Sequence, residues 1–497
     1  MLGGCAQLPP RPDLPDEFAL APAEDGRLDD MIDGPEARHP NQSAFRLLNE
    51  GTEAFVIRMQ SARLAARSLD IETYIWHSDL TGIYLAQQLL ESADRGVKVR
   101  LLLDDLDARA KNDGFAALAA HPNIQVRMFN PFVTRSGTLS KAGEGAFNFG
   151  RINHRMHNKS WIADNRIAVV GGRNVGDEYF GAGDEFNFVD LDFAMLGPIV
   201  RDISASFDKY WNSSSAYPME TLDPEAVSDE ALARLREKLA SRTTGAEDGR
   251  YAVALRGDNV VKRMYAGDWP MQWSGKYQFV SDDPRKVTMK KKDVKRTSVG
   301  NALLPMIQGA EKSIHIISPY FVPGDAATAG LTAAAGSGKE VGVLTNSLVA
   351  NDVAAVHGGY SRYRKPLLKG GVQLWELKPT GGKGNSSLLG SSGASLHTKA
   401  FSVDGEKVFV GSYNLDPRST WLNCEQGVMV DDPVLTKQLD ELFATQTSGG
   451  HAWHVTLVDG DLRWDDGTET FKSDPKASGW QKFQAWLTRV LHLDAQL

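Results

Sequence analysis

Two stretches of the chain repeat one spaced motif, and this repeat limits the possible folds more than composition does. The first copy reads His157-Asn-Lys159-Ser-Trp-Ile-Ala-Asp164 and the second His397-Thr-Lys399-Ala-Phe-Ser-Val-Asp404, with every motif position offset by 240 residues. After six intervening residues, each Asp is followed by a Gly-[Gly/Ser]-x-Asn sequence, which ends at Asn174 in the first copy and Asn414 in the second. One such match would be only suggestive, but two with the same spacing indicate an internal duplication.

The segments around the motifs follow the same order of predicted elements. Apolar spacing predicts helices over 45–69, 84–93 and 303–310, and strands over 69–76, 97–103, 124–129, 313–321, 341–344 and 372–379. Strands that alternate with helices of this length predict βαβ units on a mostly parallel sheet. The duplication therefore predicts two similar α/β lobes that pack face to face.

The rest of the 497-residue chain divides around these lobes. Residues 1–41 are rich in Pro, Asp and Glu without a sustained period, which predicts a leader or spacer. The first lobe then spans 42–220, and the second spans 299–497 and includes an amphipathic C-terminal helix. Residues 221–298 form a predicted linker with a charged surface helix and a basic run.

Charge and cysteine content narrow the possible classes of protein. The chain has 55 Lys and Arg against 63 Asp and Glu, a net charge of −8, which argues against a general nucleic-acid binder. Its two cysteines, Cys5 and Cys424, exclude a disulfide framework and a multi-cysteine metal site. No run of about 18 apolar residues occurs, so no membrane-spanning helix is predicted.

The N-terminal sequence Leu2-Gly-Gly-Cys5 resembles the lipobox of bacterial lipoproteins, in which the cysteine is acylated after cleavage. The basic start and the apolar region of a signal peptide do not precede it. Two explanations stay open, a trimmed start or an accidental likeness. If the lipobox is genuine, Cys5 anchors the protein to a bacterial membrane on the exported side; otherwise we expect peripheral association.

The motif residues suit chemistry at phosphorus. In an extended strand the His and Lys of each motif project from one face, because side chains alternate with period two. Facing lobes would gather both pairs around one phosphate, together with the substrate-binding amides of Asn174 and Asn414. One neutral His attacks phosphorus while the other, protonated, delivers a proton to the leaving oxygen. An incoming hydroxyl then displaces the phosphohistidine, and no metal or cofactor is required because the lysines supply positive charge.

The duplicated motif resembles the signature of the phospholipase D superfamily, and the surrounding sequence is similar to the bacterial cardiolipin synthases, particularly the C-type. The resemblance rests on the phrases over 156–164, 171–180, 351–360 and 411–419. It implies two α/β/α sandwich lobes with the site at their interface, and a phosphohistidine intermediate formed without metal. It also implies that His157 is the nucleophile and His397 the acid/base, whereas the two equivalent motifs themselves leave this orientation open.

The resemblance further implies a carboxylate for each imidazole, some residues past the motif Asn, which fixes the histidine tautomer. Glu425 fits this position in the second copy. In the first copy Asp190 and Asp192 are both candidates, and alignment from the Gly-Pro and Asp-Pro pairs that follow favours Asp190. Asp164 and Asp404 belong to the candidate catalytic set as motif members, but we expect each to hold a local turn or an ion pair.

Three further regions carry candidate functions. His357 and Tyr360 are similar to a family segment near the site, which implies that they line a lipid-headgroup pocket; a surface helix start is the alternative. The basic run over 282–297 is either a solvated loop or a membrane-docking segment. The C-terminal helix has an apolar face that indicates either core packing or an interfacial helix, and this face comprises Trp480, Phe483, Trp486, Leu487, Val490 and Leu491.

These expectations converge on a membrane-associated phosphatidyltransferase that makes cardiolipin with phosphatidylglycerol as acceptor. The donor is a second phosphatidylglycerol or, as the C-type resemblance implies, phosphatidylethanolamine. Three alternatives stay open: a hydrolytic phospholipase D, a nuclease of the same superfamily, and a non-catalytic lipid-binding scaffold. The first shares every catalytic residue, the net charge weighs against the second, and two intact motifs weigh against the third.

Overall fold

The structure is a computed structural model that describes residues 8–22, 26–108, 112–133, 149–183, 186–244, 249, 253, 263, 269–294, 298–351, 354–379 and 395–491. Cys5 and residues 295–297 of the basic run lie outside the described residues. Within the described ranges the strands form two large sheets, one built around each motif.

The first sheet surrounds the first motif. Its strands in the described residues are β1 (Ser43–Leu48), β2 (Ser68–Thr73), β3 (Lys98–Asp104), β4 (Ile124–Phe129), β5 (Ser160–Ala163), β6 (Ile167–Gly171), β7 (Asp192–Leu196), β8 (Ala216–Pro218) and β9 (Gln272–Ser274). They lie in the order β8-β4-β3-β2-β5-β6-β7-β1-β9. Strands β2, β3 and β4 pair in parallel, whereas β5, β6, β7 and β1 are antiparallel to their neighbours.

The second sheet repeats this plan around the second motif. Its strands in the described ranges are β10 (Tyr277–Ser281), β11 (Ser313–Ile317), β12 (Glu340–Asn346), β13 (Gln373–Leu377), β14 (Ala400–Val403), β15 (Lys407–Gly411), β16 (Gln426–Asp431), β17 (Ala452–Val458), β18 (Asp461–Asp465) and β19 (Thr470–Phe471). The order is β10-β16-β15-β14-β11-β12-β13-β17-β18-β19. Again three strands, β11 to β13, pair in parallel, and the motif strands β14, β15 and β16 are antiparallel.

The matching strand orders confirm the predicted duplication into two α/β lobes. The expectation of mostly parallel sheets is wrong, because each motif strand turns tightly into the next strand and such a hairpin requires antiparallel pairing. Each sheet is therefore a mixture of parallel and antiparallel strands.

The segment expected to be a linker contributes β9 to the first sheet and β10 to the second.

Helices cover the sheets and connect their strands. Within the described residues the α-helices are α1 (Arg27–Arg38), α2 (Gly51–Leu64), α3 (Leu80–Asp94), α4 (Asp105–Ala108), α5 (Asn112–Ala119), α6 (Phe149–Ile152), α7 (Ile199–Trp211), α8 (Met219–Leu222), α9 (Asp229–Thr244), α10 (Lys291–Val294), α11 (Val299–Gln308), α12 (Gly324–Gly336), α13 (Ala354–Ser361), α14 (Arg364–Lys369), α15 (Pro417–Trp421), α16 (Pro433–Thr447) and α17 (Gly479–Leu491). Short 3₁₀ turns occupy Asp177–Tyr179 and Pro284–Val287. Among these helices none is long and apolar enough to cross a bilayer.

The predicted helix over 45–69 is wrong in its first part. Residues Ser43–Leu48 form β1, which pairs with β7 on one side and β9 on the other, and the helix begins only at Gly51. Tertiary pairing here overrides an apolar spacing that also fits a helix. Close approach explains the glycine, because a Cβ at Gly51 would lie 2.5 Å from the carbonyl carbon of Phe180.

The two lobes join at their motifs. The His157 amide donates to the Cys424 carbonyl at 2.8 Å, and the His397 amide donates to the Val189 carbonyl at 2.8 Å. The residue before each motif histidine also forms a parallel bridge to the opposite lobe. A buried hydrophobic cluster continues across this contact and includes Ile162, Val170, Val408, Val410 and Val428. Each motif histidine therefore lies against the other lobe.

The motif aspartates close equivalent turns after β5 and β14. Asp164 accepts hydrogen bonds from the amides of residues 66, 67 and 68, at 2.7–2.9 Å, and its own φ is 50°. Asp404 accepts from the amides of residues 311, 312 and 313 at 2.6–3.0 Å, with φ of 60°. Aspartate tolerates this left-handed conformation better than most residues. Both side chains hold turns, as expected, and neither joins the histidines, so their place in the candidate catalytic set is corrected.

We expect Asp164→Ala to lower the free energy of unfolding by roughly 3 kcal/mol, because three amide donors lose a charged acceptor at a buried turn. Asp404→Ala should cost less, since water can reach the amides of residues 311 and 312. Chemical denaturation followed by circular dichroism measures both. An Asp164→Ala midpoint equal to that of the unaltered protein would contradict this role.

Candidate active site

Each His-Lys pair lies in an extended segment that ends where a motif strand begins. Strand β5 starts immediately after Lys159, and β14 starts immediately after Lys399. The Lys159 ammonium donates to the His157 carbonyl at 2.6 Å, and the Lys399 ammonium donates to the His397 carbonyl at 2.5 Å. The motif thus precedes the strand rather than lying within it.

The two imidazoles are held by carboxylates that come from the opposite lobe. The His157 Nδ1 lies 2.9 Å from Oε2 of Glu425, and the His397 Nδ1 lies 2.6 Å from Oδ2 of Asp190. The carboxylate positions implied for the two copies are both occupied, but Glu425 of the second copy holds the histidine of the first, and Asp190 of the first copy holds the histidine of the second. The reason is the lobe contact, which sets Cys424 beside the first motif and Val189 beside the second.

The local sequence explains how these carboxylates approach so closely. A Cβ at Gly172 would lie 2.1 Å from Oδ1 of Asp190, so only glycine fits there. At the equivalent position of the second copy, the Ser412 hydroxyl donates to Oε2 of Glu425 at 2.5 Å. The alternative candidate Asp192 does not reach a histidine, because it forms ion pairs with two buried arginines, Arg58 and Arg173, at 3.0 and 3.2 Å.

Burial lowers the pKa of both imidazoles. The pKa of His157 falls to about 4 because burial outweighs the attraction of Glu425, and the ammonium of Lys159 lowers it further. The pKa of His397 lies well below its ordinary value, through burial and the charges of both lysines. Burial also lowers the pKa of Lys159, to about 7. The charges of Lys159 and Lys399 therefore lower the pKa of both imidazoles across the contact between the lobes.

The carboxylates fix the tautomers of the neutral imidazoles. Burial opposes ionisation of Glu425, but the contact with His157 and the hydrogen bonds it accepts leave its pKa below the ordinary value. A neutral His157 therefore donates Nδ1–H to Glu425 and leaves the Nε2 lone pair free. The imidazole side chains are 11% and 12% exposed, whereas both carboxylates are 0% exposed. The solvent-accessible edge of the site is therefore formed by the imidazole rings. An anion bound at this edge would raise the pKa of both histidines.

Aromatic rings flank both imidazoles, and sequence analysis missed them. The Tyr74 ring lies 5.1 Å from that of His157, in an edge-on arrangement. Tyr179 and Phe188 lie 5.2 and 5.1 Å from the ring of His397. Tyr179 lies within residues 171–180, one of the segments that resemble the family, and this similarity could have identified it as a site residue. Tyr74 follows β2 directly and has no comparable signal.

The two motif asparagines differ in their contacts. The Asn174 side chain accepts from the Ile75 amide at 3.2 Å and donates to the Tyr179 hydroxyl at 2.9 Å, so it positions a ring beside His397. The Asn414 Oδ1 is buried and has no hydrogen-bond partner among the described residues. Binding of substrate by either amide stays a prediction, and the contacts favour Asn414.

His357 and Tyr360 do not join the paired histidines. His357 Nε2 contacts Asp474 at 3.2 Å and the Arg364 guanidinium, and its ring packs edge-on against Tyr360. Arg364 also pairs with the buried Glu376 at 2.8 Å. The expectation that they line a headgroup pocket of this site is therefore corrected, because they lie on α13 and belong to a separate charged cluster around Arg364.

The basic run is not a simple solvated loop. Lys286 is fully buried, and its ammonium donates to Asp282 at 2.7 Å and to the Ser419 carbonyl at 2.8 Å. Arg285 by contrast is exposed and pairs with Asp283 at 2.7 Å. The start of the run therefore anchors the segment to the second lobe, near the element that follows the second motif.

Comparison with known proteins gives a consistent result. The family described as "Cardiolipin synthase, PLD-like domain" matches residues 56–211 and 303–446. Cardiolipin synthase C of Escherichia coli is 39% identical over 468 residues, which cover 92% of this chain and 97% of that protein. Cardiolipin synthase A of Pseudomonas syringae is 26% identical, over 80% of this chain and 67% of that protein.

A solved structure shares the fold. The crystal structure of phosphatidylserine synthase from Haemophilus influenzae aligns with a TM-score of 0.59 at 14% identity. The alignment covers 94% of this chain and all of that one. At this identity the likeness establishes the two-lobed architecture.

Direct titration would test the electrostatics of the site. As the pH is lowered, we expect the ring of His157 to stay neutral down to about pH 4, because burial disfavours its charged form. The ring of His397 should stay neutral to a pH well below the ordinary pKa of a histidine. His315 is the control, since Asp440 at 2.8 Å outweighs burial and raises its pKa. Imidazole NMR, assigned with single His→Gln variants, measures all three. Half-protonation of His157 at or above 6.5 would contradict the assignment.

Proposed function

The chain belongs to the family of cardiolipin synthases with phospholipase D-like domains, and from this premise we propose that it is a phosphatidyltransferase that forms cardiolipin. The observation that carries the proposal is the crossed arrangement of two imidazoles, each held by a carboxylate of the other lobe beside a buried lysine. Phosphatidylglycerol is the acceptor. The donor is a second phosphatidylglycerol or phosphatidylethanolamine.

In the first half-reaction, Nε2 of His157 attacks the donor phosphorus. A P–N bond forms as the P–O bond to the alcohol headgroup breaks, and His397 gives its proton to the departing oxygen. Glu425 holds Nδ1–H of His157 throughout and stabilises the charge that develops on the ring. The ammonium groups of Lys159 and Lys399 stabilise the negative charge on the non-bridging oxygens.

The second half-reaction reverses these roles. A glycerol hydroxyl of phosphatidylglycerol gives its proton to His397 and attacks the phosphohistidine, which forms a new P–O bond and releases His157. The phosphodiester itself prepares the site, because its negative charge raises the low pKa of a neighbouring imidazole and so allows His397 to carry a proton.

The aromatic surroundings support transfer over hydrolysis. The same residues would serve a hydrolytic phospholipase D if water replaced the lipid hydroxyl. The rings of Tyr74, Tyr179 and Phe188 lie 5.1–5.2 Å from the imidazole rings, and such apolar surroundings disfavour water beside the reacting atoms. The lipids lie in a membrane, so the protein works at a bilayer surface, either peripherally or through an anchor at Cys5.

The products of the reaction test this proposal. Purified protein should convert labelled phosphatidylglycerol to cardiolipin, and release of glycerol or ethanolamine identifies the donor when phosphatidylethanolamine is added. Thin-layer chromatography with mass spectrometry resolves the lipids. Phosphatidic acid without cardiolipin would overturn transfer in favour of hydrolysis, and cleavage of single-stranded DNA with inert lipids would overturn both.

Side-chain variants test the crossed pairs. We expect His157→Ala and His397→Ala each to abolish turnover, and Glu425→Gln to lower kcat roughly 10²- to 10⁴-fold because the tautomer is no longer fixed. Glu406→Gln makes the same chemical change on the surface of the same lobe, where Lys312 lies 3.8 Å away, and should leave kcat unchanged. Normal turnover by Glu425→Gln would exclude the proposed role of the carboxylate.

A further inference from the structure

The C-terminal helix α17 packs on the second lobe through a narrow face. Ala485 and Thr488 are buried against α13, where Gly358 permits close approach. A Cβ at Gly358 would lie 2.4 Å from the Ala485 carbonyl oxygen and 3.0 Å from Cβ of Thr488. This contact holds the helix on the protein surface and fixes which of its faces points outward.

The outward face of α17 is aromatic and exposed. Trp480 is 58% exposed, Phe483 46%, Trp486 48% and Leu487 39%. The rings stack along the helix, with centroids 5.6 Å apart from Trp480 to Phe483 and 6.0 Å from Phe483 to Trp486. The prediction that the apolar face packs into the core is thus wrong for the residues from Trp480 to Leu487. The side chains of Val490 and Leu491 lie outside the described residues.

A cavity of about 570 Å³ opens beside this aromatic face, and basic side chains dominate its lining. Besides His357 and the paired Arg364, they are Lys365, Arg463, Lys472, Lys482 and Arg489. Three of them donate to neutral groups in the described part of the chain: Lys365 to the Gly460 carbonyl at 2.7 Å, Arg463 to the Leu462 carbonyl at 2.9 Å and Lys482 to the Ser473 hydroxyl at 3.3 Å. Asp461 also lines the cavity, whereas the carboxylate of Asp474 is already paired with Arg364. The cavity therefore carries a net positive charge.

The cavity lies near the end of β12 that supports the active site. Asn346, the last residue of β12, donates from Nδ2 to the Leu396 carbonyl at 3.0 Å and accepts from the Leu396 amide at 2.9 Å. Leu396 directly precedes His397. Two residues beyond Asn346, Leu348 lines the basic cavity. The aromatic face, the basic cavity and the second motif thus meet around one strand end.

We propose that this surface docks the protein on anionic phospholipid bilayers: the aromatic face of α17 enters the interfacial region and the basic cavity receives a lipid phosphate. The inference rests on the proposed function, which requires a phospholipid surface, and adds the location of contact. Tryptophan and phenylalanine favour the headgroup boundary, and basic side chains are attracted by anionic lipids. A second copy of the chain fits less well, because a symmetric contact would bring two basic cavities together.

Vesicle binding by charge and aromatic variants tests this proposal. One variant carries Trp480→Ala, Phe483→Ala and Trp486→Ala, and another carries Lys472→Gln, Lys482→Gln and Arg489→Gln. Matched controls change exposed residues of other elements: Phe18→Ala, Leu304→Ala and Val434→Ala in one, and Lys276→Gln, Lys312→Gln and Lys437→Gln in the other. All proteins are full length with Cys5→Ser, so that acylation of Cys5 contributes nothing. Co-sedimentation is measured with phosphatidylcholine vesicles, with and without phosphatidylglycerol.

We expect the unaltered face to bind vesicles that contain phosphatidylglycerol. The basic variant should lose about a hundredfold in partitioning onto them, and the aromatic variant roughly tenfold or more on both vesicle types. The two controls should bind like the parent. Binding that is unchanged in both test variants would overturn the proposal. So would a change from dimer to monomer in the aromatic variant with vesicle binding unaffected, measured by sedimentation velocity.

Activity in detergent micelles separates this inference from the function on which it rests. The aromatic variant should form cardiolipin from micellar phosphatidylglycerol at the parental rate, because insertion of α17 into a bilayer is then unnecessary. If the parent forms no cardiolipin in micelles but vesicle binding still depends on α17, the proposed function fails and the docking surface stands. If micellar activity is normal and the substitutions on α17 leave vesicle binding unchanged, the docking proposal alone fails.

Discussion

A carboxylate of one lobe holds an imidazole of the other, and this contact occurs twice. Glu425 and Asp190 are wholly buried, and each has its histidine partner in the other lobe in addition to a hydrogen-bond donor in its own. They also balance the two buried lysines, since Asp190 and Glu425 both attract the ammonium of Lys159. Docking of the lobes and formation of the site are consequently one event. Separation of the lobes would leave buried charges unpaired on both sides.

The duplication is not symmetric in detail, and the differences fall on the histidines. Position 172 is glycine in the first copy, whereas position 412 is a serine whose hydroxyl bonds Glu425. One imidazole meets a single tyrosine, while the other meets Tyr179 and Phe188. The same backbone plan thus gives the two rings different surroundings. The proposed roles of nucleophile and acid/base would draw on these differences.

The sequence predicts the motifs and the lobes but not how they combine. Spacing identifies the duplication. The Gly-Pro pair at 197 and the Asp-Pro pair at 432 are 235 residues apart, and the same offset from Glu425 selects Asp190 over Asp192. The exchange of carboxylates between lobes has no local signal, since it depends on which surfaces meet. The position of His357 could not be predicted from the sequence either. It lies seven residues before Arg364, and it contacts the Arg364 guanidinium and Asp474 in a charged cluster.

The crossed pairing also bears on how such a site diversifies. Two identical single-repeat subunits could form the same two contacts across a twofold axis, but every substitution would then appear at both histidines at once. Joining the repeats in one polypeptide removes that coupling and fixes their stoichiometry. In the proposed reaction each half can then adapt separately, one to the departing alcohol and the other to the covalently held phosphatidyl group, without loss of the partner that completes it.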